Sequence, residues 1–62
     1  MAEIKIKQIV ETGDGNSGMI TVLTENQETG KEYASTQAFG SGTNYSKADA
    51  TEKASQDSIN KH

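Results

Sequence analysis

The residue types that most often carry catalysis are scarce in this 62-residue chain. It has no cysteine and a single histidine, His62. Nucleophilic catalysis needs a hydroxyl or thiol beside an activating base, and zinc sites are built from cysteine and histidine ligands. The composition therefore predicts that the protein is not an enzyme, with no catalytic residue, no metal site, no cofactor and no small-molecule substrate.

Two motifs match the letters of a ligand site but lack the required neighbours. Gly13-Asp-Gly-Asn-Ser-Gly18 fits the G-x-G-x-x-G of dinucleotide-binding loops, but a strand-like segment follows it where that fingerprint opens a helix. Asp14, Asn16 and Glu25 occupy positions one, three and twelve of a calcium loop, but Met19 stands at the sixth position, where the turn needs glycine. We interpret this segment as a hairpin loop.

Cationic chemistry is also limited. Six lysines and no arginine stand against nine acidic residues, and the net charge is −3. Arginine is the side chain best suited to bidentate contacts with phosphates and guanine edges. The charge balance therefore disfavours strong, salt-sensitive binding of nucleic acid.

The hydrophobic pattern predicts three strands, which would position the glycine-rich loop and the charged residues. Apolar and polar residues alternate from Glu3 to Glu11, β-branched residues fill Met19 to Glu25, and a third strand-like segment runs from Lys31 to Phe39. The apolar face predicted for the first strand consists of Ile4, Ile6 and Val10. A glycine-rich loop and a short turn separate the segments, so we expect an antiparallel meander.

A helix is predicted to follow the sheet. From Lys47 to about Lys61 there is no glycine or proline, and Ser46 with Asp49 three positions later resembles a capping box. The half of the helix predicted to face the sheet consists of Ala48, Ala50, Thr51, Ala54, Ser55, Ser58 and Ile59. Residues 1–62 are thus expected to form a single α+β domain, a three-stranded antiparallel β-sheet packed by one C-terminal α-helix, in the order βββα.

The end of the chain resembles a known family. Gly40-Ser-Gly42 leads to Ser46-Lys47, and Ala50 and Ala54 recur at helical spacing. This looks like the C-terminal half of a double-stranded-RNA-binding domain, in which a glycine-containing loop joins three antiparallel strands to a Ser-Lys-Lys-x-Ala-Lys helix start. The motif covers about the last twenty residues, and the remainder is similar in element order only.

The resemblance implies an alternative function, weak binding of double-stranded RNA or DNA. The residues that would carry it are Gly42, Ser46, Lys47 and Lys53. Lys47 retains the first lysine of the family's helix start, but Ala48 and Thr51 replace the other two. The family's first helix has no counterpart in this sequence.

The function we expect is that of a small accessory or inhibitory protein that binds another protein or a second copy of itself. The second strand is apolar on both faces, and one helix covers only one face of a sheet. The predicted protein-binding residues are Met19, Leu23, Tyr33 and Phe39. A chain this short has a stability margin near zero, so we expect a marginal monomer or a homodimer.

The cytoplasm is the expected location. The segment Met1 to Lys5 shows no apolar stretch of a signal peptide, and no window reaches the length of a membrane span. The sequence therefore predicts no membrane partner.

Overall fold

The computed structural model describes residues 3–62, so Met1 and Ala2, which enter the signal-peptide prediction, lie outside the described residues. Three strands, β1 (Ile4–Gly13), β2 (Gly18–Asn26) and β3 (Glu32–Phe39), precede one helix, α1 (Lys47–Asn60). The strands form an antiparallel sheet in the order β1-β2-β3. This confirms the predicted α+β fold with βββα order. In residues 3–62, no helix has the length and apolar character needed to cross a membrane.

Helix α1 begins where the serine cap predicts. The Ser46 hydroxyl accepts a hydrogen bond from the backbone N–H of Asp49 at 3.2 Å, which satisfies one of the free donors of the first turn. Ala50, Ala54 and Ser58 are the buried residues of α1. Because these side chains are small, the helix axis can approach the sheet closely. Ala48, predicted to face the sheet, is exposed.

The core lies between α1 and one face of the sheet. Its buried apolar residues are Ile20, Val22, Phe39, Ala50 and Ala54, with Tyr45 packed against them. The helix packs on β2 and β3 and barely reaches β1. It therefore covers the face of the sheet that carries Ile20 and Val22, and leaves the Met19 and Leu23 face open. We call these the helix face and the open face.

A β-bulge changes the faces of β1. The pairing of β1 with β2 shifts between Ile6 and Gln8, so that Ile6 lies opposite Thr24 and Ile9 lies opposite Val22. Side chains of cross-strand partners share a face, so Ile6 and Ile9 both lie on the helix face and Val10 lies on the open face. The predicted grouping of Val10 with Ile4 and Ile6 is wrong, because the extra residue of the bulge reverses the alternation.

The two loops at one end of the sheet contact each other through Gly40. Its φ is +99°, and a Cβ built there would lie 2.4 Å from the carbonyl oxygen of Asn16 and 2.5 Å from Cα of Ser17. Only glycine fits this position without displacing the first loop. Asp14 organises that loop by accepting the backbone N–H groups of Asn16 and Ser17, each at 2.9 Å.

Candidate protein-binding surface

Strand β1 carries the most exposed apolar side chains on the helix face. Ile6 is 43% exposed and Ile9 is 49% exposed, although both stand on the same face as the buried Val22. The cause is the position of α1, which packs mainly over β2 and β3. An apolar strip of Ile6 and Ile9 is therefore left beside the helix, on an edge strand. We call these two residues and the free edge of β1 the β1 surface.

The peptide groups along β2 alternate between its two neighbours. The N–H of Asn26 donates to the carbonyl of Lys31 at 2.9 Å, on the β3 side. The N–H of Gln27, one residue later, donates to the carbonyl of Glu3 at 2.9 Å, on the β1 side. Residues of β2 that are an even number of positions from Asn26 therefore direct their peptide groups toward β3.

This alternation fixes which peptide groups of β1 are free. Ile20 and Val22 direct their peptide groups toward β3, so their β1 partners, Glu11 and Ile9, form non-hydrogen-bonded pairs with them. The N–H and C=O groups of Ile9 and Glu11 consequently point away from β2, toward the free edge. The same stretch of β1 offers both backbone hydrogen-bonding groups and an exposed isoleucine.

The other edge of the sheet is partly occupied. Lys61, the residue after α1, donates a hydrogen bond from Nζ to the carbonyl oxygen of Ala34 on β3. This carbonyl lies on the outer side of β3, because the neighbouring Tyr33 directs its peptide group toward β2. The two edges therefore differ, and the longer one, β1, meets α1 only at the Lys47–Glu11 ion pair among the side-chain contacts described for residues 3–62.

The open face is mixed in character. Lys7 forms ion pairs with Glu25 at 3.9 Å and with Glu32. The hydrogen bond that Lys7 donates to the Glu32 carboxylate, together with the negative charge of Glu32, raises the pKa of Lys7. Near the middle, the hydroxyls of Thr21 and Thr36 lie 2.9 Å apart. Ion pairs and threonines thus share this face with Val10 and Met19, which are 42% and 48% exposed.

The four residues predicted to bind protein do not form one surface. Met19 is 48% exposed on the open face, and Leu23 beside it is half-buried. Tyr33 and Phe39 lie on the helix face. Phe39 is only 2% exposed because it is part of the core under α1. Phe39 is therefore not accessible to a partner, and that prediction is wrong.

Tyr33 is exposed beside the end of the chain. Its ring stands edge-on to the ring of His62, with centroids 4.7 Å apart and an angle of 83° between the planes. The contact is within the chain, at the end of β3 distant from Phe39. Tyr33 and Met19 therefore cannot be reached by one flat partner, because they are on opposite faces of the sheet.

A buried hydroxyl pair was missed by sequence reasoning. Oγ1 of Thr24 lies 2.7 Å from Oγ of Ser58 and 2.9 Å from Nε2 of His62, and Ser58 donates to the carbonyl of Tyr33 at 2.8 Å. A hydroxyl beside an imidazole resembles a nucleophile with its base. Thr24 and Ser58 are 0% exposed, however, so no substrate reaches either hydroxyl, and the pair joins α1 to the sheet.

The signal for this pair is present in the sequence. Thr24 continues the alternation of Ile20 and Val22, and Ser58 continues the four-residue spacing of Ala50 and Ala54. Polar residues at two core positions of adjacent elements indicate a shared hydrogen bond, because buried polar groups are rarely left without partners.

The residues predicted to bind nucleic acid have other partners. Lys47 forms an ion pair with Glu11 of β1, and Lys53 lies 3.8 Å from Asp57. The Ser46 hydroxyl caps α1. Gly42 lies in an exposed turn at φ +84°. Each lysine that would face phosphate is thus beside a carboxylate.

A shallow groove lies beside Lys53 along the first turns of α1. Its lining consists of Asn44, Tyr45, Asp49, Glu52, Lys53 and Gln56. Two carboxylates accompany the one ammonium group, so the groove does not favour an anion. Among residues 3–62, no three histidine, cysteine or acidic side chains come close enough together to hold a metal ion.

No protein-family model, curated protein or solved structure matches this chain. The resemblance to double-stranded-RNA-binding domains thus rests on the residues of the last third alone and stays a prediction.

Proposed function

We propose that this chain is a small non-catalytic binding module that recognises another polypeptide through the β1 surface. One observation carries the proposal. Ile6 and Ile9 lie on the face of the sheet that is buried elsewhere in the molecule, yet they are exposed because α1 stops short of β1. Clustered exposed apolar side chains on a small protein favour an interaction site.

The mode of binding that fits this surface is strand addition. An extended segment placed along β1 would bond to the outward peptide groups of Ile9 and Glu11, which supplies affinity with little dependence on sequence. Its alternate side chains would contact Ile6 and Ile9, which supplies specificity for apolar residues at every second position.

Binding of nucleic acid is the weaker candidate. Lys47 and Lys53 lie beside Glu11 and Asp57, and a phosphate would have to compete with those carboxylates. A Lys47→Glu variant separates the two functions. Duplex RNA binding through Lys47 would fall in the variant and would weaken about tenfold between 50 and 200 mM salt if two lysines contact phosphates. The affinity for a polypeptide at β1 is expected to change little, either with the Lys47→Glu substitution or with added salt.

The direct test is site-specific photo-crosslinking in cells. A photoreactive phenylalanine analogue replaces Ile9 in one protein and Gln56, an exposed residue of α1, in the other. We expect protein adducts from position 9 that are absent from position 56 and that are lost when Ile6→Lys is added. Equal adducts from both positions, nucleic-acid adducts, or no adduct from position 9 would contradict the proposal.

A further inference from the structure

We infer that Lys61 closes the β3 edge of the sheet to an added strand and thereby leaves β1 as the edge that binds. Each edge strand of a sheet presents peptide groups to which an extended segment can bond. On β3, the ammonium group of Lys61 already bonds to one of these groups. The inference deepens the proposed function and rests on it, because it assigns the residue that makes the two edges differ.

The carbonyl of Ala34 is a group that an added strand needs. Tyr33 and Ser35 direct their peptide groups toward their partners on β2, so those of Ala34 and Thr36 point away from the sheet. An antiparallel segment would donate one of its own N–H groups to the Ala34 carbonyl. The ammonium group of Lys61 donates to that carbonyl and occupies the position of the incoming N–H.

Lys61 is held beside β3 by the residues around it. The backbone N–H of Lys61 donates to the carbonyl of Ser58 at 3.3 Å, and that of His62 donates to the carbonyl of Ile59 at 3.1 Å. The ring of His62 stands 4.7 Å from the ring of Tyr33 on β3. Because the backbone of Lys61 is already fixed, less conformational entropy is lost when its side chain is placed along the edge.

A strand that added to β3 would have to displace a charged donor. Hydrogen bonds from an ammonium group are roughly twice as strong as neutral ones. The incoming segment would replace this bond with a neutral N–H bond and leave the ammonium group beside the junction. Lysine on an edge strand is a common means of preventing sheets from pairing edge to edge.

The lysine in the bulge of β1 has a different placement. Lys7 bonds to Glu32 and lies 3.9 Å from Glu25, so its ammonium group is turned to the open face. Among the side-chain hydrogen bonds described for residues 3–62, none ends on a peptide group of β1. The outward groups of Ile9 and Glu11 are therefore available, and the described part of the sheet has one free edge and one closed edge.

Lys61→Met tests this role, because it keeps a long side chain and removes the ammonium donor. Lys31→Met is the matched control, since Lys31 is an exposed lysine just before β3. With β3 open, each copy has two free edges, and contacts between edges can repeat from copy to copy. In sedimentation velocity from about 5 to about 500 μM, Lys61→Met should grow past two chains, whereas wild type and Lys31→Met should not.

Hydrogen exchange locates the new contact. In Lys61→Met, the amides of Ala34 and Thr36 should exchange at least about tenfold more slowly at the high concentration than at the low one. In Lys31→Met their exchange should not depend on concentration. Circular dichroism at the low concentration should match wild type for both variants. Growth of Lys61→Met without slower exchange at these two amides would place the contact elsewhere and overturn the inference.

Two further results would overturn it. One is equal masses for Lys61→Met and Lys31→Met at every concentration, and the other is growth of wild type past two chains, since β3 would then be open despite Lys61. The crosslinks from position 9 decide the proposed function separately. Adducts from position 9 without any effect of Lys61→Met would leave the proposed function intact and remove only the role of Lys61.

Discussion

Among single residues, the buried hydroxyls of Thr24 and Ser58 have the clearest energetic role. The Ser58 O–H donates to the carbonyl of Tyr33, so its oxygen is left to accept from Thr24. Oγ1 of Thr24 also lies 2.9 Å from Nε2 of His62. The chain of three hydrogen bonds joins the end of α1 to β2 and β3.

Thr24→Val should lower the free energy of unfolding by about 1–3 kcal/mol, because it removes the buried hydroxyl that bonds to Ser58 and His62 while keeping the shape of the side chain. Urea unfolding followed by circular dichroism measures the change. Thr36→Val is the matched control, since Thr36 is exposed and its hydroxyl lies 2.9 Å from that of Thr21. The two variants should differ clearly, and equal losses would show that the buried chain contributes nothing particular.

Asp14 gives the stability of the first loop a dependence on pH. The backbone N–H groups of Ser17 and Asn16 donate to the Asp14 carboxylate and hold its pKa below the ordinary value of 3.8. A lowered pKa in the folded state means that the carboxylate stabilises the fold above pH 3.8 and that this contribution is lost as pH falls through the lower, folded value.

The Asp14→Asn variant tests this contribution. The amide oxygen can still accept the two N–H bonds but does not titrate, so the decline of the urea midpoint between pH 5 and pH 2 should be shallower than in wild type. Parallel declines in the two proteins would contradict the role assigned to the Asp14 charge.

At the scale of elements, the contact between α1 and the sheet depends on side-chain size. Ala50 and Ala54 are 0% exposed against Ile20 and Val22. The helix therefore sits close to β2. Because it lies mainly over β2 and β3, it covers little of β1. The same closeness that makes the core compact leaves the β1 surface uncovered.

Ala54→Leu should destabilise the protein by about 1–3 kcal/mol, because three further carbon atoms have no space between α1 and β2. Ala48→Leu, on the exposed side of the same helix, should change the free energy of unfolding by no more than about 0.5 kcal/mol. Thermal unfolding of both variants at one concentration provides the comparison. A neutral Ala54→Leu would mean that the helix can move away from the sheet without cost.

The contact between the two loops can be tested with a pair of glycines. Gly40 and Gly42 both have positive φ, but a Cβ at Gly42 meets nothing within 4 Å, whereas one at Gly40 meets the first loop. Gly42→Ala should cost about 1 kcal/mol from backbone conformation alone. Gly40→Ala should cost at least about 1 kcal/mol more, because the loops must separate. Similar losses would show that the loop contact is easily displaced.

As a whole molecule, the chain is thin and its core is small. It measures 39 × 17 × 13 Å, and the buried apolar side chains among residues 3–62 are one isoleucine, one valine, one phenylalanine and two alanines. Small chains without disulfides or metals commonly depend on exceptional packing or on association for stability. A partner along β1 would bury apolar surface that the free chain leaves in water.

A homodimer, one of the two states expected from the chain length, would make the melting temperature of wild type rise with protein concentration, since a partner that binds only the folded state stabilises it by mass action. Raising the concentration from 5 to 500 μM should then shift the midpoint upward by several degrees. Differential scanning calorimetry at both concentrations measures this. A constant midpoint in wild type would argue against association of the folded chain.

The periodicity of the sequence was sufficient to predict the three strands, the helix and the two faces of the central strand. The alternation of Ile20 and Val22 with Met19 and Leu23, and the serine before Lys47, are local features of the chain, so β2 and α1 could be predicted near their observed bounds. Strand alternation and helix capping depend on neighbours within a few residues. That is why the βββα order followed from the sequence.

The tertiary structure alone decided which face α1 covers and how far it reaches. Phe39 is buried and Ile9 is exposed because α1 lies over β2 and β3, a position set by packing between elements distant in sequence. The bulge after Ile6 depends on pairing with β2, and the contact of Thr24 with His62 spans 38 positions. Such contacts leave no local period, so the β1 surface became visible only when the helix and sheet were placed together.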